Sequence, residues 1–331
     1  MDYAALVEKL LNRDPRAAAR LITLAENDIV SAEEIIKHIY KYTGKAYIMG
    51  ISGPPGVGKS TFISTLTKFL IKDNKRIGII CVDPSSPITG GALLGDRIRM
   101  KDNFSSENVF IRSMANRGQL GGLARATDDA IKILDAYGCD VIVVETVGVG
   151  QSEVDIFKSA HTVLVLLVPG LGDDIQAIKA GIMEITDIFV INKMDLDGAD
   201  KKVTEISQML ELNAKFKYDS QNIAPDIATR KRWTPEIVKV NSISGENFEK
   251  LLEKVEKHKS FLNESGYLIE VERSKIKNDA LKILKHKLSE KVEKLLDNNS
   301  EVEKYINSAV EKTLDPYTIA NLIVKMLGFE K

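Results

Sequence analysis

The chain has 331 residues, 44% of them hydrophobic and 28% charged, with 46 Lys and Arg balanced by 47 Asp and Glu. That composition excludes a wholly disordered or collagen-like chain, and the length sets a prior of roughly two domains. A net charge of -1 leaves no global excess to draw the chain onto nucleic acid or an anionic membrane. Its two cysteines, Cys81 and Cys139, lie in no CxxC pair and make no disulfide framework, so a reducing compartment is expected. The opening residues lack a basic segment followed by an apolar block, and no apolar run reaches ~18 residues. The expectation is a cytoplasmic protein with no secretory signal, no membrane span and no nucleic-acid partner.

Residues 1–44 read as helical. Asp14-Pro15 sets a capping acceptor before a proline at the first helical position. Ser31-Ala32-Glu33-Glu34 has the capping-box pattern and predicts a helix to about Tyr42, stopped by Gly44. From Ala46 short apolar runs alternate with helical segments: Tyr47–Ser52, Arg76–Val82, Val109–Arg112, Val141–Glu145, Thr162–Val168, Ile188–Ile191 and Ile237–Val240. Most of these runs are continuously apolar, which predicts strands covered on both faces and joined by right-handed crossovers in a mainly parallel sheet. Lys215 to Thr234 reads as a polar, irregular excursion. After Phe261 the strands stop. Leu281, Leu284, Leu288, Val292 and Leu295 then form one helical stripe. Asp315-Pro316 opens a last helix that Gly328 ends. This tail reads either as a solvated helix packed on its own domain or as an arm pairing with a second subunit.

Gly53-Pro54-Pro55-Gly56-Val57-Gly58-Lys59-Ser60-Thr61 fits GxxxxGK[ST]. It lies between a predicted strand and a predicted helix, the context in which this pattern binds phosphate. Its glycines allow backbone N–H groups to wrap the phosphates, and the helix start adds a positive end. Lys59 is expected between the β- and γ-phosphates, and the Ser60 hydroxyl on Mg²⁺. Asn192-Lys193-Met194-Asp195 follows a strand about 130 residues later, at the carboxyl edge where open α/β sheets bind ligands. Asp195 can accept from guanine N1–H and the N2 amine together. Adenine has no such pair, and such a mismatch discriminates by about 10⁴ or more. Asn192 is expected to brace the site and the Lys193 stem to lie along the base. In Asn241-Ser242-Ile243-Ser244 a backbone N–H is a candidate donor to guanine O6.

Glu145-Thr146-Val147-Gly148-Val149-Gly150-Gln151 leaves the same edge. Glu145 is a candidate Mg²⁺ carboxylate. Gly148 lets a backbone N–H approach the γ-phosphate, making the loop its sensor. Gln151 reads either as the group orienting the attacking water or as a surface polar residue. Asp83 ends a strand and is favoured to position the nucleophile or a Mg²⁺ water. Asp96 is a second metal candidate, and a turn or cap role stays open for both. A glycine-containing loop after Val168 carries Gly172, Asp173, Asp174, Gln176 and Lys179 on the same edge, where mobility is expected.

With these residues in place, the sequence resembles the MeaB/ArgK family of P-loop GTPases associated with methylmalonyl-CoA mutase. The resemblance runs over nearly the whole chain. It is carried by SGPPGVGKST, VDPSSP with GGALLGDRIRM, RSMANRGQLGGLA, ETVGVGQSE, GDDIQAIKAGIMEITDIFVINKMD and DPYTIA. It implies an α/β, SIMIBI-like P-loop GTPase core at 45–265, with a helical segment at 1–44 and a helical dimerisation arm at 266–331. It implies a homodimer that uses GTP/GDP and Mg²⁺ and gates adenosylcobalamin loading or protection of the mutase. Lys59 and Ser60 would bind phosphate and Mg²⁺, with Asp83, Asp96 and Glu145 as metal-site carboxylates. Asn192 and Asp195 would read guanine, and the loop after Val168 would pass nucleotide state to the mutase. Glu145 replaces the aspartate usual in other GTPases. Ile243 replaces the usual alanine of the last guanine loop, leaving that contact to backbone alone.

Two rival readings follow from the same residues. One is an ATP-using kinase or transport-energising subunit, against which the NKMD loop argues. The other is a metal-insertion GTPase. His38, His161, His258 and His286 are scattered and lie near no cysteine pair, which gives no soft-ligand site for nickel or zinc.

Overall fold

The computed structural model describes residues 2–84, 107–116, 122–146, 160–170, 185–219 and 233–328. Three short helices come first: α1 (Tyr3–Leu11), α2 (Pro15–Asn27) and α3 (Ile29–Ile39). Asp14 caps α2 through its carboxylate, with Pro15 at the first helical position, as the sequence pattern predicts. The α3 start differs from expectation. Its cap is Asp28, whose carboxylate accepts from the N–H groups of Val30 and Ser31 and from the Ser31 hydroxyl. Ser31 therefore sits one turn inside the helix, because an aspartate three residues upstream satisfies the same orphan donors sooner.

The core is a seven-stranded sheet in the order β3-β2-β4-β1-β5-β6-β7. The strands are β1 (Tyr47–Ser52), β2 (Ile77–Pro84), β3 (Val109–Asn116), β4 (Val141–Thr146), β5 (Thr162–Leu167), β6 (Ile188–Ile191) and β7 (Glu236–Lys239). Every pairing is parallel. The helices after the first three are α4 (Lys59–Lys72), α5 (Gly122–Tyr137), α6 (Ala199–Asp219), α7 (Phe248–Glu264), α8 (Tyr267–Asn298), α9 (Ser300–Val310) and α10 (Pro316–Met326). Helix α6 runs on to Asp219 through part of the stretch expected to be irregular. No Gly or Pro interrupts Lys215–Asp219, so nothing local stops the helix. Residues 220–232 lie outside the described residues.

Both faces of the sheet are covered, which explains the unbroken apolar strands. Along β4, Ile142 and Val144 join a core with α1, α2, α3 and α5. Val141 and Val143 point the other way, into a core with Phe62, Leu66, Phe248 and Leu251 of α4 and α7. Phe248 is fully buried, with ring centroids of Phe62 and Phe69 at 5.2 and 5.5 Å. Burying a side chain of that size contributes about 2–3 kcal/mol. Asp135 of α5 secures the entry to β1. Its carboxylate accepts from the N–H groups of Gly44, Lys45 and Ala46.

The amino edge of the sheet carries a polar cluster that the sequence did not announce. Thr162 Oγ1 lies 2.7 Å from His258 Nδ1 and also bonds the Tyr47 hydroxyl. His258 Nε2 lies 3.4 Å from Asp187 Oδ1. The Trp233 ring covers His258 at 4.6 Å, and its indole N–H donates to the Asp187 carbonyl at 2.9 Å. Burial pushes the Asp187 carboxyl up to about 7, opposed by the Val163 N–H that donates to it. Burial, with His161 nearby, pushes His258 down to about 4. Between an ordinary carboxylate value and about 7, the folded chain holds more protons at Asp187 than the unfolded chain. Stability from Asp187 is therefore lost as pH rises through that window. The lowered His258 contributes the opposite slope between about 4 and its ordinary 6.5. Asp187→Asn keeps the shape and removes the first slope. Urea midpoints of the variant, relative to wild type, should rise steadily from pH 4 to 7. A difference independent of pH would exclude a proton on Asp187.

The chain divides into two compact units, Met1–Arg273 and Ser274–Lys331, and the division falls inside α8. In the second unit, α9 and α10 pack through Val302, Ile319 and Ile323. Asn299 caps α9 and Asp315 caps α10. Among the described residues no helix is long and apolar enough to cross a membrane.

Candidate functional site

The site is built on the carboxyl edge of the central strands. β1 ends in the Gly53–Gly58 loop, which turns directly into α4. Gly53 has φ +146°, and a Cβ there would stand 2.4 Å from the Leu166 carbonyl oxygen of β5. Only glycine lets the loop pass this close to the neighbouring strand. Gly58, at φ +91°, opens α4 with no side-chain cap. The first N–H groups of α4 are therefore offered to an anion rather than to a capping side chain. Lys59 is buried. Its ammonium donates to the carbonyl oxygens of Gly53 at 2.7 Å and Pro54 at 3.2 Å. Val57 is buried, Ser60 half-buried, and Pro55, Gly56 and Thr61 are exposed.

Strand order decides what stands beside this loop. β4 lies between β1 and β2, so Glu145 pairs with Ile51 on one side and Cys81 on the other. Glu145 follows Val141 and Val143 at two-residue steps, which puts it on the face that α4 covers. It is buried, and the Cys81 thiol donates to its Oε2 at 3.7 Å. Asp83 stands near the carboxyl end of β2, paired with Ala115 of β3. Asp96, Gly148, Gln151, Gly172, Asp173, Asp174, Gln176 and Lys179 lie outside the described residues.

Asn192 ties the loops after β6 and β7 to the phosphate loop. Asn192 is buried. Its Nδ2 donates to the Val57 carbonyl at 2.8 Å. Its Oδ1 accepts from the Ser242 N–H at 3.1 Å and the Ser242 hydroxyl at 2.7 Å. A Cβ on Gly58 would come within 2.9 Å of that Nδ2, so Gly58 also makes room for the brace. Lys193, at φ +55°, reaches back with Nζ 3.3 Å from the Gly56 carbonyl. Thr65 of α4 donates to the Ser242 carbonyl at 2.7 Å. Asp195 is exposed, and its Oδ1 accepts from Asn241 Nδ2 at 2.7 Å. Ile243 is 88% exposed, and its backbone N–H donates to Asn241 Oδ1. Thr65 escapes sequence reasoning because it matches no motif, and the side-chain role of Asn241 escapes it because Asp195 is 46 residues away in the chain.

This arrangement places a glycine loop, a helix start and a buried lysine at one end. At the other it places an exposed carboxylate and an apolar side chain. It can hold a polyphosphate and a base that offers adjacent N–H donors.

Comparison with known proteins agrees with this geometry. The sequence model of the family described as "Methylmalonyl Co-A mutase-associated GTPase MeaB" matches residues 18–297. A Pyrococcus horikoshii protein whose name places it among GTPases is 51% identical over 322 residues, covering 97% of each chain. GTPase ArgK of Escherichia coli is 31% identical over 325 residues, covering 95% of this chain and 93% of its own. The mouse protein named methylmalonic aciduria type A homolog, mitochondrial, is 36% identical over 223 residues, 66% of this chain and 51% of its own. Among solved structures, a LAO/AO transport system kinase superposes with TM-score 0.66 at 23% identity, covering 98% of this chain and 97% of its own. That likeness shows the fold. Sequence and fold together make this chain a member of the MeaB family of P-loop GTPases.

Proposed function

We propose that this GTPase is a nucleotide-gated chaperone that governs adenosylcobalamin loading or protection in a methylmalonyl-CoA mutase. The observation that carries the guanine part is the Asn192 brace. It ties the Val57 carbonyl of the phosphate loop to Ser242, with Asp195 at the open end to accept from guanine N1–H and N2. The mutase part is supported by the family description and by the name of the mouse relative.

In this reading the loop from Gly53 to Thr61 wraps the phosphates with its N–H groups, of which Pro54 and Pro55 supply none, together with Gly148. Lys59 exchanges its carbonyl partners for β- and γ-phosphate oxygens, which a charge-assisted bond favours. Lys193 lies along the base. Ser242 supports Asn192, and Ile243 borders the base. Ser60, Asp83, Asp96 and Glu145 would hold Mg²⁺. Hard oxygen donors suit that ion, and Glu145 and the α4 start share one face of the sheet. Bound Mg²⁺ neutralises charge on the phosphate oxygens. Asp83 and Gln151 orient the water that attacks the γ-phosphate, giving GDP and phosphate. Catalysis is then by positioning and charge stabilisation. Gly172, Asp173, Asp174, Gln176 and Lys179 form the loop that reports nucleotide state to the mutase.

The core at 45–265 would carry this chemistry, with residues 1–44 as a helical layer. Residues 266–331 would join a cytoplasmic homodimer. Support for that arm comes from Ile276, Leu281, Ile283 and Leu284, apolar residues exposed on α8.

The test is GTP turnover of the purified chain with Mg²⁺, with and without the methylmalonyl-CoA mutase of the same organism. Acceleration of tenfold or more, with co-elution of the two proteins, is expected. No acceleration and no complex would overturn the mutase partnership and leave the GTPase intact.

A further inference from the structure

We propose that Asn241 is a positioning residue for base selection, one that aims the Asp195 carboxylate and ties it to the last base loop. This rests on the guanine reading of Asp195. One carboxamide spans both loops. Its Nδ2 donates to Asp195 Oδ1 at 2.7 Å, and its Oδ1 accepts from the N–H groups of Ile243 at 2.9 Å and Ser244 at 3.2 Å.

An exposed aspartate turns freely about its last torsion, because that torsion is broad and two-fold. A donor fixed on Oδ1 selects one orientation. It leaves Oδ2 and the second lone pair of Oδ1 for two N–H donors of a base. The donor is itself fixed. The Asn241 N–H donates to the Glu246 carbonyl at 3.2 Å, and the Asn241 carbonyl accepts from the Gly245 N–H at 2.9 Å. The next residue, Ser242, is held by Asn192 and by Thr65 of α4. Asp195 is thereby referenced, through Asn241 and Ser242, to the helix that begins at the phosphate loop. Preorganisation of this kind raises affinity by removing an ordering cost at binding.

The experiment is equilibrium titration of GDP and of IDP, which lacks the N2 amine. It uses the full chain as wild type, Asn241→Ala, Asp195→Ala and the double variant. Asn241→Ala should weaken GDP by about tenfold, the scale of one hydrogen bond to a charged group. It should also shrink the GDP-over-IDP preference, because a misaimed carboxylate loses the N2 contact. In the Asp195→Ala background the same change should add less than about twofold. Asn241→Asp, which keeps the shape but cannot donate when ionised, should lose at least as much as the alanine variant. Thermal unfolding of each nucleotide-free variant checks that the fold is kept.

An equal loss in both backgrounds, an unchanged GDP-over-IDP preference, or tighter GDP binding by Asn241→Ala would overturn the inference. Tighter binding would show the carboxamide to be a competitor of the base. If Asp195→Ala leaves GDP binding unchanged, the guanine reading itself falls. If Asp195→Ala weakens GDP and Asn241→Ala does not, only the role of Asn241 falls.

Discussion

Asp195→Asn is expected to lose GTP affinity by two orders of magnitude or more and to gain affinity for xanthosine triphosphate. A carboxylate accepts two N–H donors from guanine, whereas an amide presents a donor to one of them. The mismatch leaves a polar pair facing like to like, and such sites discriminate by about 10⁴. Xanthine carries a carbonyl where guanine has its N2 amine, so the new amide meets an acceptor. The fold should tolerate the change. Asp195 is exposed, and its described bond is with Asn241 Nδ2, from which the carbonyl oxygen of the new amide can still accept. Competition of GTP, xanthosine triphosphate and ATP for the purified variant reads the result. Unchanged GTP binding would remove Asp195 from the base site, and ATP displacing GTP from the wild type at equal concentration would favour the kinase reading.

Lys59→Ala is expected to lower GTP turnover by about 10²–10³, the scale of one preorganised donor at a charge-developing site. Its ammonium is buried at the start of α4 and pinned to the carbonyl oxygens of Gly53 and Pro54. The cation is already desolvated and within reach of the loop, so an interaction with phosphate would be correspondingly strong. GDP affinity should fall less than turnover, since charge grows on the β–γ bridge and the γ-phosphate during the reaction. Single-turnover hydrolysis, beside direct GDP titration, separates the two effects. Equal losses in both would make Lys59 a binding group with no added role in the chemical step.

The legible parts of this protein are those written in contiguous residues. The turn from β1 into α4 is local. Glycines supply positive φ at 53, 56 and 58, and Lys59 and Ser60 follow at fixed helical positions. The seven strands were visible because both-face burial demands unbroken apolar runs, and their observed bounds shift by a few residues at the ends. Asn192 to Asp195 were visible because the loop directly follows such a run. The α3 cap was misplaced within the same local window. Two acceptors, Asp28 and Ser31, competed there, and the upstream carboxylate holds the hydroxyl as well as the N–H of Ser31.

What the sequence determined by itself was the chemistry on offer: a glycine loop of phosphate-binding pattern, a carboxylate proposed to read the base and a set of strand-end acids. Tertiary structure alone decided who meets whom. Placing β4 between β1 and β2 carries Glu145 to the face of α4. Asn192 finds the Val57 carbonyl across 135 residues, and Asn241 finds Asp195 across 46. The Asp187–His258–Thr162 cluster forms from three separate parts of the chain. Local propensity has no range over such separations. These partners are chosen by strand order and by the requirement that polar groups taken out of water be satisfied inside the fold.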